Sequence, residues 1–95
     1  MQAAITLTAH GRLRVQQRSI SSDLLDLLWA YGSEMRRAGA SVLFFDKAAR
    51  RRLREALTAA ELRRLRRQDL CSYVVVGNAC QIVTAGYRTK RFRRP

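Results

Sequence analysis

The one histidine of the chain, His10, is followed by Arg14 and Arg18, each four residues beyond the last. On a helix, residues four apart lie one above the other, so the three side chains would form a single row. Such a row suits a phosphate: guanidiniums supply forked donors, and an imidazole exchanges a proton near neutral pH. Metal-free cleavage of RNA needs the 2'-hydroxyl deprotonated, a crowded phosphate stabilised and the leaving oxygen protonated. His10 is the natural acid or base for that chemistry, and Arg14, Arg18 and Arg88 can stabilise the phosphate. Thr84 or Tyr87 can hydrogen-bond it or position the substrate. The same row would serve equally as a solvated basic helix face, since charged residues usually just meet water.

The elements that would position these groups follow from local patterning. Thr8 is a suitable N-cap for a helix carrying the row, with Ala9 and Leu13 on its apolar side. Ser21 or Ser22 caps a second helix in which Leu24, Leu27, Leu28 and Tyr31 keep core spacing and Gly32 ends the run. The period then changes. Residues 33–37 and 41–45 read as strands joined by Ala38-Gly39-Ala40, and Val42-Leu43-Phe44-Phe45 is apolar enough to be buried on both faces. Asp46 caps a helix to about Leu57, and Thr58 with Glu61 forms a capping box opening another to about Gln68. Residues 71–76 and 81–84 form a second strand pair around the turn signal Gly77-Asn78. The expected architecture is α+β, a small antiparallel sheet packed by N-terminal helices in the order α-α-β-β-α-α-β-β. It forms one domain over residues 1–95, with 86–95 as a candidate mobile basic tail.

Composition sets the class of partner. The chain holds 19 Lys and Arg, seventeen of them arginine, against seven acidic residues, for a formal net charge of +12. Arginine binds phosphate bidentately and stacks on bases, so the balance favours nucleic acid over a membrane surface. An acidic protein would be drawn by the same field. Arg12 and the terminal run Tyr87-Arg88-Thr-Lys90-Arg91-Phe92-Arg93-Arg94 are candidate nucleic-acid contacts, with the two aromatics stacking on bases as in single-strand binders. A solubilising arm would have the same composition. Eight arginines between Arg50 and Arg67 would add affinity without reading sequence. At 47% hydrophobic residues the chain is expected to fold rather than remain a disordered basic tail.

Other chemistries lack their residues. Cys71 and Cys80 form no CxxC and have no second histidine, so a zinc site is not expected, and both read as small hydrophobes. There is no Ser/His/Asp set, P-loop, dinucleotide-binding glycine pattern or magnesium-holding carboxylate cluster, so no metal and no cofactor is expected. No secretory signal or run of about 20 apolar residues is visible, and a reducing cytoplasm is the expected location.

Together, His10-x3-Arg14-x3-Arg18-x-Ile20-Ser21, the leucine helix ending at Gly32, and Val74-Val-Val…Ile82-Val-Thr84 followed by Tyr87-Arg88 resemble a family of small bacterial domains of unknown function. That family is grouped with the RelE-like toxins of the barnase, EndoU, colicin and RelE superfamily. The resemblance covers essentially the whole chain. It implies a RelE-like fold and a metal-independent ribonuclease toxin neutralised by an acidic antitoxin, with His10, Arg14, Arg18, Thr84 and Arg88 at matching positions. The family strand usually ends Val-Thr-Val-Tyr-Arg, whereas here Ala85-Gly86 separate Thr84 from Tyr87-Arg88. The expected function is therefore an RNA-binding toxin, with metal-independent cleavage as a further activity that the resemblance would add. The alternatives are a non-catalytic nucleic-acid-binding or regulatory module, and an interaction domain for an acidic protein.

Overall fold

The computed structural model describes residues 5–88. Five strands and four helices follow one another as β1 (Thr6–Leu7), α1 (Ala9–Gln17), α2 (Ser22–Tyr31), β2 (Ser33–Arg37), β3 (Ala40–Phe44), α3 (Lys47–Ala56), α4 (Ala59–Arg64), a 3₁₀ turn (Arg67–Cys71), β4 (Ser72–Val76) and β5 (Gln81–Tyr87). The strands form one sheet in the order β1-β5-β4-β3-β2.

Each helix starts where a short polar side chain takes up an orphan backbone N–H. Thr8 accepts from Gly11, Ser21 from Leu24, Asp46 from Ala49, and Thr58 from Glu61. The Asp46 carboxylate also receives the Ser33 hydroxyl at 2.6 Å, which ties the start of α3 to the start of β2. In the capping box of α4, the Thr58 backbone N–H and then its hydroxyl hold the Glu61 carboxyl below its ordinary value of 4.5. A lowered folded value means this cap is fully present above the ordinary value and is lost as pH falls through the lowered one. On acidification, far-UV circular dichroism should therefore show a loss of helix below the ordinary carboxylate range that Glu61→Gln lacks. Identical acid profiles would contradict this.

One face of the sheet carries the main core. Val74, Ile82 and Ala85 meet Ile20, Leu24, Leu25 and Leu28 from the α2 region and Phe45, Ala49 and Leu53 from the α3 region, all buried. The opposite face holds a smaller cluster of Met35, Val42 and Phe44, with Tyr73 and Val75 against it. β3 thus buries side chains on both faces, as its unbroken apolar run requires.

Several expectations change. The sheet is mixed rather than antiparallel, because β1 is a true strand that pairs parallel with β5, Thr6 to Gln81 and Leu7 to Ile82. The stretch Ala4-Ile5-Thr6-Leu7-Thr8 is short, β-branched and alternating, which reads as an edge strand or an extended lead-in, and over Thr6–Leu7 it is the strand that forms. The fourth helix stops at Arg64 rather than near Gln68. Asp69 accepts the Arg66 N–H at 2.9 Å and starts the 3₁₀ turn instead. β5 runs on through Ala85, Gly86 and Tyr87. A bulge between Val75 and Val76 leaves Val83 as the extra residue of β5, since Val75 pairs with Thr84 but Val76 with Ile82. Gly86 belongs there because a Cβ would come 3.0 Å from the Tyr73 hydroxyl. Residues 86 and 87 are thus strand rather than tail, and 89–95 lie outside the described residues. Cys80 is exposed in the β4–β5 turn at φ 56 rather than packed as a small hydrophobe, while Cys71 ends the 3₁₀ turn half-buried. Among the described residues, no helix is long and apolar enough to cross a membrane.

Candidate nucleic-acid interface

The element bearing the basic row, α1, is fixed to β5 by its first turn. Thr8 donates its backbone N–H to the Ile82 carbonyl at 3.0 Å and its hydroxyl to the same oxygen at 3.3 Å, while that hydroxyl accepts from the Gly11 N–H. The helix then lies so close that a Cβ on Gly11 would fall 2.0 Å from the Ile82 oxygen. Glycine inside a helix costs up to about 1 kcal/mol relative to alanine, and this contact is the reason for accepting that cost. The inner side of α1 is therefore Gly11 and Val15. Ala9 is exposed and Leu13 is 48% exposed, contrary to the apolar side expected for them.

The far end of α1 is equally defined. Ile20 donates its N–H to Val15 O at 3.0 Å and Ser19 to Gln16 O at 3.2 Å, with Ser19 in the left-handed region at φ 54. This is a Schellman closure, and its apolar contact is supplied by Ile20 and Val15, which join the same core. Left-handed backbone is costly for any residue with a Cβ, so Ser19→Gly should stabilise the fold by about 0.5–1 kcal/mol. A lowered melting temperature would contradict this.

Between these fixed ends, His10 is exposed and Arg14 half-buried. Arg14 Nε donates towards His10 Nε2 at 3.4 Å, and its Nη1 towards Gln17 Oε1 at 3.4 Å. These are long contacts, but they draw His10, Arg14 and Gln17 into one row. Gln17 was not among the expected site residues, although its position three residues after Arg14 puts it on the same face. Arg12 and Arg18 are exposed, Arg18 being the C-cap residue just past the helix.

The strand half of the expected site is placed differently. Thr84 is half-buried opposite Val75, and so shares the face of the smaller cluster. Arg88 turns away from α1. Its Nη2 donates to Phe45 O at 2.6 Å, and its guanidinium carbon lies 5.9 Å from the centroid of the Phe44 ring. Phe45 follows β3, two strands in from β5, whereas α1 flanks β5 itself. Adjacent strands lie about 4.8 Å apart, so the Arg88 guanidinium is drawn roughly 10 Å across the sheet. The structure unites His10 with Arg14 but does not bring Arg88 to them. Tyr87 is half-buried, packed against the main core rather than free to stack. Lys90, Arg91, Phe92, Arg93 and Arg94 lie outside the described residues.

The arginines of α3, α4 and the start of the 3₁₀ turn display charge, with Arg51, Arg52, Arg54, Arg63, Arg64, Arg66 and Arg67 exposed. Arg52 also braces α3 against the end of α2, donating to Tyr31 O at 3.0 Å and Ser33 Oγ at 2.9 Å. Arg66 pairs with Asp69 at 3.4 Å. Cations outnumber carboxylates by a wide margin, so most of the displayed positive charge is in excess. Compared with known protein families, curated proteins and solved structures, the chain matches none.

Proposed function

We propose that the protein is an RNA-binding domain of RelE-like type, the toxin half of a toxin–antitoxin pair, gripping phosphate along α1. The observation that carries this reading is the row itself. His10, Arg14 and the C-cap residue Arg18 follow one another along a helix whose first turn is bonded to β5 and whose end is closed by Ser19 and Ile20. Arg12 lies beside them on that helix, and among the described residues no ion pair with a carboxylate occupies them. Ordering the helix beforehand leaves its arginines free to meet phosphate without losing further backbone entropy. The same excess of positive charge makes an acidic antitoxin the natural protein partner.

The test is binding of a single-stranded RNA oligonucleotide. Replacing Arg12, Arg14 and Arg18 together with alanine should weaken binding about equally across unrelated sequences, because phosphate contacts carry no base information. The same number of changes at Arg51, Arg54 and Arg63 should weaken it less. An unaltered affinity in the α1 variant would overturn the assignment.

The contact of His10 with Arg14 favours a second step, metal-independent cleavage. His10 acts as the general base or acid and Arg14 and Arg18 hold the scissile phosphate, while Arg88 braces the end of β5 through its bond to Phe45 O. His10→Ala should lower the cleavage rate in the presence of a chelator by about 10²–10⁴-fold while leaving RNA affinity close to wild type. Undiminished cleavage would remove His10 from the chemistry. Arg88→Ala should lower the melting temperature and spare the affinity of the folded protein, in keeping with its bond to Phe45 O.

A further inference from the structure

β2 ends the sheet, and among the described residues no strand pairs with its outer side. Proteins usually blunt such an edge with charge. Here the charges alternate in sign along Glu34-Met35-Arg36, which makes the edge complementary to a second copy of itself.

The backbone decides which groups face outward. The β2–β3 hairpin turns through Ala38 at φ 51 and Gly39 at φ 79, a type I′ pattern. Such a turn closes with a hydrogen bond between the residues that flank it, here Arg37 and its register partner Ala40. Hydrogen-bonded and non-bonded pairs alternate along an antiparallel ladder, so Arg37, Met35 and Ser33 direct their backbone groups at β3. The N–H and C=O of Glu34 and Arg36 point to the open edge.

Two copies of β2 related by a two-fold axis through Met35 set Glu34 opposite Arg36 of the other copy, on both sides of the axis. Each such pair exchanges two main-chain hydrogen bonds and places a carboxylate beside a guanidinium. The side chains are held for this on one face: the Ser41 hydroxyl donates to Glu34 and accepts from Arg36 Nη1. Met35 meets its counterpart in the closer, non-bonded spacing, which joins the Met35, Val42 and Phe44 clusters of the two copies. Other registers are poorer. A slip of one residue misaligns the outward backbone groups. A slip of two residues sets Glu34 against Glu34 or Arg36 against Arg36.

We propose that the chain forms a two-fold dimer through β2, giving one continuous sheet across both copies. The net charge of +12 per copy opposes association. At about 0.15 M salt that repulsion is screened beyond roughly 8 Å, whereas the paired charges are in contact.

Sedimentation equilibrium at that salt concentration tests the proposal. Wild type should dimerise, and Glu34→Arg and Arg36→Glu alone should each weaken dimerisation by roughly tenfold or more, since each sets like charges opposite. An equal mixture of the two variants should restore it, because each supplies the sign the other lacks. The double variant, with both signs exchanged, should dimerise as wild type does. Arg36→Pro deletes an outward N–H and leaves the β3 ladder intact, so it should yield a folded monomer by circular dichroism. A monomeric wild type, single variants that dimerise unchanged, a mixture of variants that stays monomeric, or a dimeric Arg36→Pro would each overturn the proposal.

Discussion

Gly11→Ala should cost on the order of 3 kcal/mol or more, far beyond an ordinary helix-surface change. Alanine is the better helix former, and in an isolated helix the substitution would help by about 1 kcal/mol. In this fold the added Cβ would lie 2.0 Å from the Ile82 carbonyl oxygen, and both atoms belong to backbone that cannot rotate away. Relief requires α1 to lift from β5, which breaks the Thr8 bonds to Ile82 and uncovers Val15. The loss should appear in urea unfolding as a lower midpoint. RNA affinity should fall as well, because the row at His10, Arg14 and Arg18 would no longer be held against the sheet. A variant as stable as wild type would mean that α1 does not pack as described.

Phe45→Ala should cost about 3–5 kcal/mol. The ring is fully buried, and the residue joins β3 to the cap of α3 at Asp46. Its carbonyl also receives the Arg88 guanidinium at 2.6 Å, so backbone relaxation around the cavity would disturb the end of β5 too. Domains of this kind are stable by only about 5–15 kcal/mol, so the variant should be largely unfolded at moderate urea or at elevated temperature. A melting temperature within a few degrees of wild type would place Phe45 outside the core.

Much of this scaffold is legible in the residues alone, for a physical reason. Helix starts are local events: Thr8, Ser21, Asp46 and Thr58 each satisfy an N–H only three residues away. The β2–β3 hairpin is local in the same sense, its turn set by Ala38-Gly39. Features that depend on distant chain are not legible. The β-branched alternation around Thr6 allows an edge strand or a lead-in, and what decides between them is the edge that β5 offers more than 70 residues later. Gly86 stands at the expected start of a tail, yet it is buried in β5 opposite Tyr73, whose ring lies 3.2 Å from where a Cβ would be.

The candidate site divides along the same line. The His10 and Arg14 contact follows from helical spacing and is found. The place of Arg88 is set by its bond to Phe45, a partner 43 residues away in sequence, which no local pattern announces. Gly11 carried a readable signal, since glycine inside an otherwise regular helix marks a close approach, here to Ile82.

The central claim, that this protein grips RNA through phosphate, is tested most directly by the salt dependence of its affinity. Each phosphate neutralised on a single strand contributes about −0.7 to the slope of log affinity against log salt. With Arg12, Arg14 and Arg18 engaged, wild type should show a slope of about −2 or steeper, and alanine at all three positions should flatten it by about 2. A slope near zero in the wild-type protein, or one that the α1 variant leaves unchanged, would contradict the account.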